Sequence, residues 1–310
     1  MSKLILILLA VILAVPTAFA AFPGEVDLLE AGVFVAGNFL AISDIPGIAD
    51  GSVYLLGRDH RVVELSADGG QQSLPLPSLE GAGEDDYFCD MVADERGLSF
   101  CGYAFSGVYF LDFNELEKLN FIKVRVADQP VNVMMIARKG EGWCIKDADE
   151  RVLHVALDGS VRQLPQHASI ESDKYGTSVI IPPPRDQGDK IVYPGNVLRE
   201  DGQPLWIAPS PESPREIMAI EYLGNDSTQR DIFLVTTASG ELDAENTLYA
   251  VKHSKVVAKR VVVQPSVMGV MRYCRLSADD SILIITSDPN GRDGVLVKRL
   301  SLETTQASEG

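Results

Sequence analysis

The stretch Val62-Val63-Glu64-Leu65-Ser66-Ala67-Asp68-Gly69-Gly70-Gln71-Gln72-Ser73-Leu74 contains two short strand-like runs joined at Asp68-Gly69. An Asp-Gly pair between two such runs is a strong signal for a β-hairpin. The same arrangement recurs at Asp158-Gly159 and at Asp201-Gly202, so the aspartates are 90 and 43 residues apart. These intervals fit two repeats and one repeat of about 45 residues, a length typical of stacked supersecondary units.

A second hairpin lies upstream of the Asp-Gly turn in each unit. Residues 89–94 with 98–101 match residues 274–279 with 282–285, at an offset of 185. Counting such pairs gives six copies, which begin at residues 39, 89, 133, 178, 217 and 274. Each unit has four short runs rich in Val, Ile, Leu and Tyr, which is typical of antiparallel sheets. The sequence therefore predicts an all-β fold, a six-bladed β-propeller of four-stranded antiparallel blades.

The two ends of the chain predict how the ring closes. The sixth unit ends with its third strand, residues 295–302, so its outer strand must come from elsewhere. Residues 26–35 immediately precede the first unit and include the apolar residues Leu28, Leu29, Val33, Phe34 and Val35. We expect this N-terminal strand to complete the last blade and cover two sheet edges. The predicted organisation is a signal peptide at 1–20, the propeller at 21–303 and a disordered tail at 304–310.

The first twenty residues have the pattern of an export signal. Lys3 supplies a positive charge, residues 4–15 are apolar, and Ala18-Phe19-Ala20 is a small-residue cleavage site. The apolar run is shorter than the roughly 20 residues that a membrane helix needs. We expect a periplasmic or secreted protein after cleavage following Ala20, with no membrane insertion, and we expect it to be a monomer.

The composition is acidic. The formal net charge is −17, from 44 acidic against 27 basic residues. Such a field repels phosphate backbones, so nucleic acid is excluded as a partner. We expect a protein or small-molecule partner, of basic or cationic character. The alternative is that the acidity serves solubility alone.

One phrase resembles a known group of proteins. Asp90-Met91-Val92-Ala93-Asp94-Glu95-Arg96-Gly97-Leu98 is similar to the Asp-to-Gly hairpins of six-bladed β-propellers of the gluconolactonase, NHL-repeat and TolB type. The resemblance extends over the whole mature chain through its strand order, and it implies the same fold. The metal-site pattern of gluconolactonases has no residue-by-residue match in this sequence.

The repeat also predicts which residues meet at one mouth of the channel. The loops that enter the innermost strands, and those between second and third strands, bring together an acid-rich rim. Its members are Asp59, Glu84, Asp85, Asp86, Asp147, Asp149, Glu150, Glu241, Asp243, Glu245, Asp288 and Asp293. The Asp288–Asp293 loop resembles a calcium loop only in part, since Arg292 stands at an alternate position, and we assign no metal.

The innermost strands begin with polar residues. These are Asp90, Asn132, Ser178, Glu216 and either Arg272 or Arg275. One interpretation is a solvated channel lining. The other is a substrate or ion pocket in which Asp90 and Glu216 act as acid and base or as ligands, and Arg272 binds an anion.

Two of the four cysteines flank a turn. A three-residue loop around Asp94-Glu95-Arg96-Gly97 would place Cys89 directly opposite Cys101 and allow a disulfide, whereas a loop one residue longer or shorter would not. We expect Cys144 and Cys274 to be buried thiols.

Two functions lead on the sequence, and a third, an accessory subunit for a periplasmic electron-transfer enzyme, rests on fold analogy alone. The first is a non-enzymatic binding or scaffold module that docks protein or ligand on the acidic channel mouth, through residues such as Asp86, Asp90, Asn132, Asp147, Glu216 and Arg272. The alternative is a metal-dependent lactonase or sugar hydrolase with a divalent cation held by Asp90, Asn132 and Glu216. No nucleophile elbow, phosphate loop or histidine metal motif is present, and we assign no cofactor.

Overall fold

The computed structural model describes residues 32–45, 52–66, 68–74, 76–77, 79, 86–165, 167–172, 178–186, 191–239, 243–263, 271–277, 279–288 and 290–302. Over these ranges the chain forms strands and no helix, in six four-stranded sheets and two small hairpins. Each sheet is one blade, and the innermost strand is named first below.

The first three blades follow the chain in order. Blade 1 contains β2 (Phe39–Asp44), β3 (Val53–Gly57), β4 (Val62–Leu65) and β5 (Gln71–Leu74). Blade 2 contains β6 (Asp90–Asp94), β7 (Gly97–Cys101), β8 (Gly107–Asp112) and β9 (Leu119–Lys123). A hairpin of β10 (Arg125–Val126) and β11 (Gln129–Pro130) leads to blade 3, which contains β12 (Val133–Lys139), β13 (Gly142–Asp147), β14 (Val152–Val155) and β15 (Val161–Gln163).

The last three blades include one insertion and the seam. Blade 4 contains β16 (Ala168–Ser172), β17 (Ser178–Ile180), β20 (Asn196–Arg199) and β21 (Pro204–Ile207), with β18 (Arg185–Asp186) and β19 (Ile191–Val192) as a separate hairpin. Blade 5 contains β22 (Glu216–Asn225), β23 (Asp231–Ala238), β24 (Glu245–Lys252) and β25 (Lys255–Val263). Blade 6 contains β26 (Met271–Leu276), β27 (Ile282–Ser287), β28 (Gly294–Leu300) and β1 (Val33–Ala36).

The predicted all-β, six-bladed propeller is confirmed, and so is its closure by an N-terminal strand. β1 pairs antiparallel with β28, in the register Val33 to Val297 and Val35 to Val295. The inner strands contact one another in the cyclic order β2, β6, β12, β16, β22 and β26, and β26 contacts β2 again. The ring is therefore closed by backbone hydrogen bonds between the two ends of the described chain.

The hydrophobic core lies between the blades. Among the described residues there are six buried clusters, one for each pair of neighbouring blades. The cluster at the seam packs Phe39 and Ile42 of blade 1 against Val35, Leu283 and Val297 of blade 6. Each sheet therefore buries both faces only because it has a neighbour on either side. Within the described ranges no helix has the length and hydropathy of a membrane span.

The Asp-Gly turns that define the repeat connect the third and fourth strands of blades 1, 3 and 4. Gly69, Gly159 and Gly202 have φ values of 83°, 80° and 82°, which glycine adopts without strain. In each turn the aspartate Oδ1 accepts a hydrogen bond from the backbone N–H two residues later, at 2.9 to 3.0 Å. The three turns are thus structurally equivalent, as the repeat predicts.

The assignment of blade 4 was wrong by one strand. The sequence placed Ser178 at the start of the innermost strand. In the structure the innermost strand is β16, and Ser178 begins the second strand, β17. The reason is the insertion after β17, because Pro182-Pro183-Pro184 offers no N–H groups to a ladder and the next strand-like residues pair in the separate β18–β19 hairpin.

Candidate ligand site in the channel

An arginine crosses the channel from one blade to the opposite one. Arg275 lies on β26 of blade 6 and is only 6 % exposed. Its guanidinium donates from Nη1 to the Met91 carbonyl of blade 2 at 2.7 Å, and from Nη2 to the Ile136 carbonyl of blade 3 at 3.0 Å. Because blades 6 and 3 are three positions apart in a six-membered ring, this side chain spans the channel diameter.

Asp90 completes this crossing from blade 2. Its Oδ1 accepts hydrogen bonds from the Met91 N–H at 2.8 Å and the Tyr273 hydroxyl at 2.7 Å, while Oδ2 accepts from the Ile136 N–H at 2.8 Å. The Arg275 Nη2 atom lies 3.6 Å from Asp90 Oδ1. We call Asp90, Tyr273 and Arg275 the channel plug. It joins three blades by charge-assisted hydrogen bonds, which are stronger than neutral ones.

A cavity of about 610 Å³ lies against the plug. This volume is within the roughly 300–1,000 Å³ of small-molecule sites. Besides the plug residues, its walls come mainly from blades 3, 4 and 5 and include the apolar side chains of Ile181, Pro182 and Ile220 with the ring of Tyr193. The cavity is therefore apolar on one side and closed by a buried ionic network on another.

Three further carboxyl groups line this cavity, and one of them, Glu150, forms an ion pair with Lys146. Glu171 lies on β16 and Glu221 on β22, both innermost strands. Glu171 Oε1 is 3.7 Å from Arg275 Nη2, and its side chain is 23 % exposed. Burial raises the pKa of Glu171 to about 7, against the opposing effect of the Arg275 charge. A carboxyl with such a pKa changes charge near neutral pH.

Glu221 differs in its surroundings. Its side chain is exposed to water, yet burial raises its pKa. Both statements hold because the side chain is open to the cavity while dense protein lies around that cavity, and low-dielectric surroundings disfavour the charged form. Among the described residues no cation or hydrogen-bond donor lies within bonding distance of its carboxylate.

The plug also contains strongly perturbed groups. Burial raises the pKa of Tyr273 well above its usual range, with smaller contributions from Asp90 and Glu171, so the phenol stays protonated and donates to Asp90. Burial likewise raises the pKa of the neighbouring Cys274 thiol. The Nε–H of Arg275 is buried and has no hydrogen-bond partner.

The predicted site residues occupy different environments. Asp90 lines the cavity as part of the plug, whereas Asp86, Asn132, Asp147 and Glu216 are not among its lining residues. The Asp86 carbonyl lies 2.7 Å from His60 Nε2, and the Asn132 Oδ1 accepts from the Ser106 hydroxyl at 3.1 Å. Glu216 is exposed at the start of β22.

The two remaining predicted positions are a buried, ion-paired aspartate and an arginine of blade 6. Asp147 is 1 % exposed, and its Oδ2 accepts from Arg151 Nε at 2.6 Å. The backbone of Arg272 lies in β26, but its side chain is outside the part of the chain that the structure describes.

Several members of the acid-rich rim are paired with arginines. Asp147 and Asp288 each bind an arginine four residues later, at 2.6 Å to Arg151 and 2.5 Å to Arg292. Asp243 lies 3.3 Å from Arg215 Nη1. The Arg292 hydrogen bond is the main cause of the lowered Asp288 pKa of about 2. These carboxylates stabilise their own turns, and Glu84, Asp85 and Glu241 lie outside the described residues.

The structure has the second of the two alternatives for Cys89 and Cys101, in which they are out of register. The turn has two residues, and the strand register places Asp90, not Cys89, opposite Cys101. All four cysteines are free thiols in the structure. The Cys89 thiol donates to the Met134 carbonyl at 2.9 Å, and burial raises the pKa of Cys101 well above its usual range. Burial also raises the pKa of Cys144, to about 12.

Sequence reasoning missed Glu171 and Glu221 and named Arg275 only as an alternative to Arg272. Residues 168–172 alternate Ala168 and Ile170, which are buried, with Ser169 and Glu171, which are less so. That period of two is a strand signal, and it could have placed Glu171 in the channel. Among the described residues no three His, Cys, Asp or Glu side chains are grouped to hold a metal ion.

Comparison with known proteins identifies the fold. The WD40 β-propeller domain of Doa1 matches at 13 % identity and a TM-score of 0.54, over 89 % of this chain and 96 % of that chain. The PQQ-bound aldose sugar dehydrogenase of Streptomyces coelicolor matches at 11 % and 0.53, over 86 % and 95 %. A catalytically inactive virginiamycin B lyase of Staphylococcus aureus, with quinupristin, matches at 11 % and 0.50, over 87 % and 98 %.

These likenesses extend to the propeller fold alone, since all three sequences are below 25 % identical to this chain. No protein-family model and no curated protein sequence matches. The same fold carries both binding modules and enzymes, so function has to be argued from the site.

Proposed function

We propose that this protein is an exported binding module that takes a small organic molecule into the cavity beside the channel plug. The observation that carries the proposal is the contrast between two sets of charged groups in one place. Both carboxylate oxygens of Asp90 and both terminal nitrogens of Arg275 have protein partners. Glu171 and Glu221 instead face about 610 Å³ of accessible space.

The contrast matters because burial of charge costs less free energy for Asp90 and Arg275, which have partners, than for Glu171 and Glu221. Buried charges that are fully hydrogen-bonded hold a structure in one arrangement and need no ligand. Carboxyl groups whose pKa is raised by burial are costly to ionise, and a bound ligand that favours the charged form can offset that cost. Asp90 and Arg275 thus support the site, and Glu171 and Glu221 are the groups available for recognition.

The interior is a better site than the rim. Asp147, Asp243 and Asp288 already have arginine partners, so their charge is largely compensated. Docking of a basic protein on the rim therefore competes with existing ion pairs. Binding of a protein partner outside the cavity, with no small molecule inside it, would instead favour a scaffold function.

The test is retention of a small molecule by variants that fill the cavity. Ser169 lines the cavity on the same strand face as Glu171, so Ser169→Trp should block it. Ser73→Trp, on the exposed outer strand β5, is the matched control. Purified proteins are incubated with a small-molecule extract of the source cells, desalted, denatured and analysed by mass spectrometry.

We expect the wild type and Ser73→Trp to release the same compound, and Ser169→Trp to release none. Equal retention by all three proteins, or no retained compound in the wild type, contradicts the proposal.

One observation favours a second function, an acid–base enzyme at the same site. A carboxyl with a pKa of about 7, as in Glu171, is suited to accept and donate a proton at neutral pH. The metal-dependent version has less support, because both oxygens of Asp90 and the Asn132 Oδ1 already accept hydrogen bonds. Conversion of the retained compound by wild type, and its binding without conversion by Glu171→Gln, would establish the enzyme.

A further inference from the structure

We propose that the outer edge of blade 5 binds an extended acidic segment of a partner protein as an additional β-strand. This edge is β25 (Lys255–Val263), which pairs with β24 on one side and with no described strand on the other. It has nine residues, whereas the outer strands of the other blades have three to five. The inference goes beyond the proposed function and does not depend on it, because no residue of β25 lines the channel cavity.

The charge of this edge is opposite to that of the chain. The chain has 44 acidic residues against 27 basic ones, yet none of the acidic residues lies within 246–278. Inside this stretch the hairpin of β24 and β25 carries Lys252, Lys255, Lys259 and Arg260. A basic strand on an acidic protein favours an acidic partner at that place, because electrostatic complementarity selects partners and fixes how they dock.

Two of these four cations are uncommitted. Lys252 and Arg260 each donate to a backbone carbonyl, at 2.9 and 2.7 Å. Lys255 and Lys259 are exposed, and neither has a hydrogen-bond or ion-pair partner among the described residues. Their ammonium groups are therefore available to the carboxylates of a partner.

The same strand exposes three valines. Val256, Val257 and Val261 are 40, 42 and 47 % exposed. Apolar side chains on a sheet edge suit strand addition, in which main-chain hydrogen bonds give affinity and side-chain contacts give specificity. The partner segment should therefore carry apolar as well as acidic side chains.

The turn of the hairpin fixes the alternation of its backbone hydrogen bonds. His253 and Ser254 form a two-residue turn with φ values of 50° and 64°, and Lys252 pairs with Lys255 across it. In a hairpin of this kind the pair next to the turn exchanges both backbone hydrogen bonds, and the following pairs alternate between non-bonded and bonded. Residues of the non-bonded pairs direct their N–H and C=O groups away from the partner strand.

Three residues of β25 have such outward groups. The register has two irregularities, and each adds one residue of β25 opposite a bonded position of β24. The alternation then places Val256, Lys259 and Val261 in the non-bonded pairs. Unpaired N–H and C=O groups on an edge strand form a template for a further strand.

An acidic segment suits this edge better than a second copy of β25 or an anionic membrane. Two copies of β25 would bring lysines of both strands together, and like charges on paired strands are destabilising. A lipid surface can neutralise lysines, but it offers no row of N–H and C=O groups to match a strand edge. An extended segment that alternates acidic and apolar residues contacts the lysines, the valines and the backbone together.

The test measures binding of a probe peptide to the purified protein by fluorescence anisotropy. The probe is a fluorescein-labelled peptide of alternating glutamate and valine with the length of β25, and its control has lysine in place of every glutamate. The buffer contains about 0.1 M salt, at which charges more than about 10 Å apart are largely screened, so contacts at β25 decide the affinity. We expect the glutamate peptide to bind at least tenfold more tightly than the lysine peptide.

Charge reversal assigns the effect to the two lysines. The double variant Lys255→Glu with Lys259→Glu should weaken binding of the glutamate peptide at least tenfold and strengthen binding of the lysine peptide. The matched control is Lys118→Glu with Lys123→Glu, which makes the same change of net charge at the shorter outer strand β9 and should bind both peptides as the wild type does. Circular dichroism confirms that each variant is folded before titration.

A proline tests whether the backbone takes part. Proline is tolerated on an edge strand where the missing N–H would face solvent, so Val261→Pro should leave blade 5 folded and weaken binding of the glutamate peptide at least tenfold. Val261→Thr keeps the N–H and the β-branched shape, and it should bind within about twofold of the wild type. If the proline variant does not fold, the lysine reversal decides the inference.

Equal affinity for the two peptides, or no measurable binding of the glutamate peptide, overturns this inference. So does peptide binding that survives the lysine reversal or a folded Val261→Pro variant. Sedimentation with phosphatidylserine vesicles in place of peptide binding, or a dimer that the lysine reversal dissociates, would assign the edge to a membrane or to a second copy and would also overturn it. Retention of a small molecule in the cavity is measured separately, so the failure of one proposal leaves the other intact.

Discussion

At the scale of single residues, the Glu171 carboxyl gives stability a defined pH dependence. Burial raises its pKa from 4.5 to about 7 in the folded protein, so the fold favours the protonated form. The stabilising contribution is therefore fully present below pH 4.5 and is lost as pH rises through 7. Asp90 and Tyr273 face this carboxyl from β6 and β26, Glu221 from β22, and Arg275 opposes them.

We expect Glu171→Gln to be more stable than the wild type at pH 8 and equally stable at pH 4. The gain at pH 8 should be roughly 1–3 kcal/mol, because glutamine removes the cost of ionising a buried carboxyl. Urea unfolding at the two pH values measures it, with Glu115→Gln as a control that should match the wild type at both. A variant no more stable at pH 8 than the wild type would show that channel water solvates Glu171 fully.

The channel plug makes a second prediction at this scale. Arg275→Met keeps much of the side-chain volume but leaves the Asp90 charge uncompensated and the Met91 and Ile136 carbonyls without their donor. Breaking a buried ion pair in this way costs about 3–5 kcal/mol. We expect a loss of that size in urea unfolding at pH 7.

The control for this prediction is Arg162→Met, which removes an exposed arginine from the outer strand β15. It should change the free energy of unfolding by no more than about 0.5 kcal/mol. Equal effects of the two substitutions would mean that the plug does not contribute to holding the blades together.

At the scale of elements, the sequence predicts most strands because local signals and tertiary structure agree. The Asp-Gly turns impose positive φ at one glycine each, and the flanking apolar residues fill the spaces between blades. The pairs β6–β7 and β26–β27 are the two innermost strands of blades 2 and 6, as the similarity of their sequences predicts. These elements are visible in the sequence because each is specified within about a dozen residues.

In blade 4 the local sequence signals do not specify the strand order that the structure has. β17 has three residues and pairs with β20 across an insertion that contains its own hairpin. Nothing local distinguishes the blade strand β17 from β19 of the insertion, because both are short and apolar. Glu171 was missed for this reason, whereas Asp90 was found because its blade has no insertion. The plug itself joins residues more than 180 positions apart, such as Asp90 and Tyr273, which a single sequence does not pair.

The seam carries a prediction of its own at this scale. β1 supplies the outer strand of blade 6, and Val35 is buried in the cluster shared with blade 1. We expect a chain that starts at Gly32 to fold, and a chain that starts at Asn38 to lose at least 10 °C in melting temperature or to aggregate. Loss of β1 would expose the edge of β28 and remove buried apolar surface. Equal melting temperatures would show that backbone closure is not what holds the ring.

At the scale of the whole molecule, stability and recognition are separated in space. The six inter-blade clusters and the plug form a rigid frame, and within the described chain the cavity lies among the inner strands where several blades meet. The formal charge of −17 adds a long-range field that raises the local concentration of cations near this frame. Association of a cationic ligand should therefore slow as ionic strength rises, since salt screens that field.

We expect the protein to be exported, because the leader can be removed without loss of any described strand. Cleavage after Ala20 would remove the apolar leader and leave β1, which starts at Val33, to close the ring. We expect the protein expressed in a bacterial host to be recovered outside the cytosol with Ala21 as its first residue, as measured by intact mass. Replacing both Ala18 and Ala20 with Asp should block cleavage and keep the leader attached, because the processing site requires small residues. Recovery of the wild type from the cytosol with Met1 in place would refute export, while the propeller, whose described strands all lie after residue 32, would be unaffected.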